Sequence, residues 1–204
     1  MKIPVNTAII PENIAGKAVD IEQQITLKSV AEAISVYQLT KEKLLTPSIW
    51  HQLTGAVSAA FEVWNVAENK EQLVATVNDY IKIDIPGPGA SAGEGYDWVK
   101  IELIQQNALP DVDDSLAMRL RACANPNKSE AGVAHFFKQD ATSTFIIQRI
   151  ANTVMVSYHG RNEIPNTKSV PLVDKIRNTL VATGAEVGLS ELQWDSLLKG
   201  LLKK

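Results

Sequence analysis

Apolar and polar positions alternate with period two through the middle of the chain and with a helical period near both ends. The clearest stretch runs from Thr142 to Glu163. It predicts a β-hairpin, Ser143–Ile150 then Thr153–His159, turning at Ala151-Asn152, where Asn tolerates the left-handed backbone of a tight turn. A two-residue loop sets Ile150 against Thr153, Ile147 against Val156 and Phe145 against Tyr158. Phe145, Ile147, Val156, Tyr158 and Val154 then share one face, the best candidate for a core surface.

Leu27, Val30, Ala31, Ile34 and Tyr37 fall on one helical stripe, with Thr26 as a fair N-cap, so a helix is expected over about 27–39. Thr46-Pro47 through Gly55 reads as a short capped helix with Ile49, Trp50 and Leu53 inward. From Gly55 the period changes. Strands are expected over 57–64, 72–76, 79–85 and 96–105, the last with Val99, Ile101 and Leu103 on one face against Trp98, Lys100 and Glu102 on the other. The long tip Pro86–Gly95 joins the last two. Ser115–Ala124 alternates as a strand would but is made of helix formers; the cleaner pattern favours a strand. Val133–Lys138 reads as a short strand entering the hairpin.

Two helices close the chain. Pro171 opens one that Gly184 stops. Ser190-Glu191-Leu192-Gln193 is a capping box for the other, whose stripe is Trp194, Leu197, Leu198, Leu201 and Leu202. The order helices, strands, helices excludes a βαβ-built fold. The expected class is α+β: a largely antiparallel, sequentially connected sheet of about eight strands, able to curl into a barrel, flanked by terminal helices. The expected organisation is one domain over 1–204, with an arm at 1–25, a helical part at 27–54, a sheet core at 57–160 and helices at 169–204.

Composition narrows the function classes. A net charge of −3 argues against nonspecific nucleic-acid binding. The charge is segregated: eight acids against two lysines between Asp79 and Asp114, then six bases against two acids between Ser115 and Arg161. Pairing across neighbouring strands explains that better than a docking surface. Cys123 is the single cysteine, so an intrachain disulfide is impossible. Pro4 and Asn6 interrupt any signal-like start, and no run approaches the ~20 apolar residues of a membrane helix. A cytoplasmic location is expected, with neither membrane nor nucleic acid as partner; self-association or a protein partner fits the composition.

The chemistry-bearing residues are few. Gly87-Pro88-Gly89-Ala90-Ser91-Ala92 has the spacing of a loose dinucleotide fingerprint. It lacks the helix whose N-terminus would hold a phosphate. His51, His135 and His159 have no metal-ligand spacing, so no metal and no cofactor are expected. The densest group is His159, Arg161 and Glu163 at the open end of the hairpin. Asp97, an acid on a core-facing strand position, is the fourth candidate, because a buried acid needs a partner. Arg161 is the expected one. The leading expectation is a non-catalytic binding or assembly module, with a small polar ligand at these four residues. The alternatives are an enzyme acting on a small anionic or carbonyl compound through His159 and Arg161, and a lipocalin-like carrier of an apolar ligand.

Overall fold

The structure is a computed structural model describing residues 9–54, 59–85, 93–107, 112–128, 132–166 and 188–204. The strands are β1 (Lys17–Thr26), β2 (Ala60–Asn65), β3 (Lys70–Gln72), β4 (Tyr80–Asp84), β5 (Asp97–Gln106), β6 (Asp114–Ala122), β7 (Thr142–Ile150) and β8 (Thr153–Glu163). Among the described residues the helices are α1 (Val30–Leu44), α2 (Trp50–Thr54), entered through a 3-10 turn at Pro47–Ile49, and α3 (Gly188–Leu202). The strands form one antiparallel sheet of eight in the order β1-β8-β7-β6-β5-β4-β2-β3. The α+β class therefore holds, but the sheet does not close into a barrel. Its two edges are β1 and β3, which is three residues long, and they do not pair. A closed lipocalin-like container is thereby set aside.

The hairpin has the expected register: Ile150 opposes Thr153, Ile147 opposes Val156 and Phe145 opposes Tyr158. Phe145, Ile147, Val154, Val156 and Tyr158 are all buried on the inner face, the side that carries the helices. At the turn it is Ala151 that goes left-handed (φ 50°), not Asn152. Its N–H donates to Asp113 Oδ2 at 2.6 Å and its carbonyl accepts from Arg149 at 3.0 Å. Those bonds offset the strain, and they free the Asn152 amide to donate to the Leu27 carbonyl.

Five expectations are corrected. Residues 17–26 are not arm but strand. β1 lines Val19, Ile21, Gln23 and Ile25 against the helices, and Gln23 breaks the apolar alternation because it donates to Asp195 of α3 at 2.7 Å. α1 begins at Val30, not Leu27, since β1 runs through Thr26; Ser29 caps it and Glu32 reaches back to the Lys28 N–H. The stretch 72–76 pairs only at its start, in β3. The register shift between Ile101 and Leu103 moves Leu103 to the outer face and Ile104 to the inner. Val133–Lys138 forms no strand and contributes one isolated bridge, Phe137 to Pro165. Ser115–Ala124 is strand as expected, in β6. The tip of the Pro86–Gly95 loop and the expected helix from Pro171 lie outside the described residues.

The core fills the space between the inner face and the helices. Trp50 stands at its centre, fully buried, edge-on to Phe61 at 5.2 Å and tilted on Phe145 at 5.4 Å. Its indole N–H donates to the Lys43 carbonyl. Leu197, Leu198, Leu201 and Leu202 of α3 close the same core. On the outer face, Ile9 and Ile10 cover Ala117 and Ile146 in a second, smaller cluster. The segregated charges meet across strands: Arg119 and Arg121 share Glu102, Arg149 bridges Asp113 and Asp114, and Lys128 reaches Glu94. Among the described residues no helix is long and apolar enough to cross a membrane.

Ile147 is 1% exposed in this core. Ile147→Ala should cost about 2–5 kcal/mol in denaturant unfolding, through lost burial and the cavity left behind. A loss below ~0.5 kcal/mol would contradict the assignment of faces.

Candidate functional site

The end of β8 is shaped by one extra residue. Val19 pairs with Gly160 and Lys17 with Glu163, so three steps on β8 span two on β1. Asn162 absorbs the difference in a left-handed conformation (φ 56°). The segment before β1 holds it there. Asn162 Oδ1 accepts from the N–H groups of Ile14 (2.8 Å) and Ala15 (3.2 Å), its own N–H donates to Asn13 Oδ1, and its amide donates to the Glu12 carbonyl. Strict alternation would put His159, Arg161 and Glu163 on one face. The bulge instead leaves His159 and Arg161 outside and turns Glu163 inside.

On the outer face His159 and Arg161 converge on Asp20 of β1. His159 Nδ1 lies 2.5 Å and Arg161 Nη2 2.7 Å from the same Asp20 Oδ1. Burial raises the Asp20 carboxyl, but hydrogen bonds from His159 and Arg161 outweigh it and hold the group below its usual range. Burial also lowers the His159 imidazole, against the pull of Asp20. His159 Nε2 lies 3.0 Å from Ser157 Oγ, which completes a Ser–His–Asp chain. Ser157 is buried in mid-strand, and the backbone around it is paired on both sides in the ladder.

On the inner face Glu163 meets Tyr158. The Tyr158 hydroxyl donates to Glu163 Oε1 at 3.2 Å and lies 3.1 Å from Ser143 Oγ. The Trp194 and Tyr158 rings stack at 5.0 Å. A Cβ on Gly160 would stand 2.2 Å from Glu163 Oε1, so the space Glu163 occupies exists because residue 160 has no side chain. Lys17, the cross-strand partner of Glu163, gives its ammonium to Glu191 of α3. Among the described residues no cation lies within ion-pair distance of Glu163, and burial raises its pKa. Burial, then Glu163, pushes the Tyr158 phenol upward.

Asp97 does not join Arg161. It sits on β5, three strand spacings from β8, roughly 14 Å along the sheet. It is 2% exposed and shares the inner row with Val99 and Ile101, opposite Ile83. Its Oδ2 accepts from the Phe136 N–H at 3.1 Å; its Oδ1 has no partner among the described residues. Burial raises its pKa to about 6, only partly opposed by that one hydrogen bond. Next to Phe136, His135 is buried among Phe136 and Phe137, with Nδ1 accepting from the Phe137 N–H; burial lowers it to about 4. Cys123 is pushed up to about 12 by burial, while Arg121 turns to Glu102.

The four expected residues thus divide into an outer pair, an inner acid at the β8 end and an inner acid at the start of β5. Asp20, Ser143, Tyr158 and Trp194 complete these groups. The sequence assigned Tyr158 and Trp194 to the core, and the small Gly160 beside Tyr158 was the available hint of a polar space. No signal marked Asp20, whose strand was not expected.

No protein-family model and no curated protein matches the chain. Solved structures do. A hypothetical protein from Helicobacter pylori aligns at TM-score 0.48 and 12% identity, over 98% of this chain and 95% of its own. Norcoclaurine synthase from Thalictrum flavum aligns at 0.41 and 12%, over 92% and 87%. A protein from Thermus thermophilus aligns at 0.36 and 15%, over 91% and 94%. Likenesses of this size carry nothing about activity.

Asn162→Gly keeps the left-handed backbone and removes three side-chain bonds. It should cost about 2–3 kcal/mol and speed hydrogen exchange at the Ile14 and Ala15 amides. Unchanged exchange there would mean that the clasp does not hold the segment.

Two opposed groups at the start of β5 contribute to the pH profile. Asp97, raised in the fold, contributes stability that is present at low pH and lost as pH rises through about 6. His135, lowered in the fold, contributes stability lost as pH falls from 6.5 toward about 4. Each spans about 3 kcal/mol at most, so they largely cancel between pH 4 and 6.5. Asp97→Asn should therefore be at least as stable as the parent at pH 7.5, and should lose stability relative to the parent as pH falls through about 6. Parallel profiles for the two proteins would refute the burial of Asp97.

Proposed function

We propose that the chain is a binding module for a small ligand seated on the inner face of the sheet, at the end where β8 finishes and β5 begins. The observation that carries this reading is the uncompensated carboxyl chemistry of that end. Asp97 is buried with one oxygen unpartnered among the described residues, and Glu163 is bonded to Tyr158 without an ion pair among the described residues. Stability alone does not favour such groups, since a buried acid without a cation costs free energy. Costly polar groups of this kind concentrate where a ligand is met.

Exposure along the inner face supports the same end. Toward α1 the inner residues Leu116, Ile147, Val154 and Val156 are 0–1% exposed. Toward the β8 end Ser143, Ile21, Ile83 and Trp194 are only half-buried among the described residues. His159 and Arg161 spend their polar atoms on Asp20, Ser157 and backbone carbonyls, which disfavours a catalytic reading built on that pair.

A thermal-shift screen against small metabolites tests the reading. A true ligand at 100 times its Kd adds about 2.7 kcal/mol and changes Trp194 emission. Glu163→Gln and Tyr158→Phe should cut the shift by at least half. A ligand whose shift is the same in both variants would place the site elsewhere.

A further inference from the structure

Resting on that reading, we propose that the ligand is an apolar body carrying a protonated amine, and that the amine seats on Asp97. The carboxyl is oriented before any ligand arrives. Oδ2 is fixed by the Phe136 N–H, which leaves Oδ1 as the atom lacking a donor among the described residues. Ile83 and Val99 border it on the inner face, so the surroundings reward an apolar body.

The described residues supply no cation of their own. The lysines nearest in the ladder, Lys82 and Lys100, occupy the opposite row: Lys82 pairs with Glu62 and lies over the Tyr96 ring, and Lys100 lies over Tyr80. Among the described residues the sheet brings two carboxyls to the inner face at this end, Asp97 and Glu163, and Glu191 of α3 stands near the second. The one base of that face among those residues, Lys17 at the rim, is already paired with Glu191. An anionic ligand would be repelled by both acids. A neutral alcohol could donate to Oδ1 but would leave the charge uncompensated. An ammonium group does both at once, forming a charge-assisted hydrogen bond and neutralising the carboxylate.

Three compounds with one ring system separate the possibilities: 1-naphthylmethylamine, 1-naphthalenemethanol and 1-naphthoate, titrated calorimetrically at pH 7.5. The amine should bind at least about tenfold tighter than the alcohol, and the carboxylate should be weakest. Asp97→Asn, whose stability is checked in parallel by thermal unfolding, should bring amine and alcohol to within about twofold. Glu163→Gln should keep the amine preference, because the two acids lie on strands three spacings apart. Equal binding of all three heads, or an amine preference that survives Asp97→Asn, overturns the amine assignment and leaves the binding-module reading standing. No binding by any of the three overturns both.

Discussion

The clasp on Asn162 is the constraint from which the chemistry of this sheet follows. One amide side chain takes the N–H groups of Ile14 and Ala15 and returns a bond to Glu12, while the backbone it holds turns left-handed. That single extra residue decides on which side of the sheet Glu163 lies. Without it, Glu163 would extend a polar outer row already supplied with Asp20. With it, a carboxyl enters an inner row of Tyr158, Phe145 and Val156. Gly160 is the other half of the device, since a side chain there would collide with the carboxyl.

The two faces consequently differ in kind. Outside, opposite charges meet in pairs and triplets: Arg119 and Arg121 on Glu102, Arg161 on Asp20. Inside, carboxyls stand among hydrocarbon and aromatic rings. Surface pairs contribute little to stability, but they hold the outer side chains in place and leave few reactive groups free there. The inner acids carry a cost that the rest of the core offsets.

Much of this was legible beforehand. The β7–β8 register followed from a two-residue turn and a period of two, and it was correct to the residue. The segregation of acids and bases pointed to cross-strand pairing, and Glu102, Asp113 and Asp114 meet Arg119, Arg121 and Arg149 accordingly. What was hidden has a common cause. A bulge leaves no trace in an alternating pattern, so Leu103 was placed on the wrong row, and Glu163 was read as lying beyond a strand that ended at His159. β1 was hidden because Gln23 points inward to Asp195, a contact that a helix 172 residues away makes possible. Asp97 was recognised as an acid needing a partner, but a backbone N–H from Phe136 supplies the one bond it has among the described residues.

The pairing of β1 with β8 also bears on how the chain is made. Ile14 finds Asn162 across 148 positions of sequence. A ribosome delivers β1 first, and its partner strand is nearly the last piece of the sheet to emerge. Through most of synthesis, β1 and the residues of the clasp have nothing to pair with. Local hairpins such as β7–β8 close early, whereas the contact that sets the inner acid in place waits for a long loop to close, the slow step in topologies of this kind. The β1–β8 end of the site thus forms only after residue 163 has emerged, and a chain released before that point would keep a strand without an edge to join.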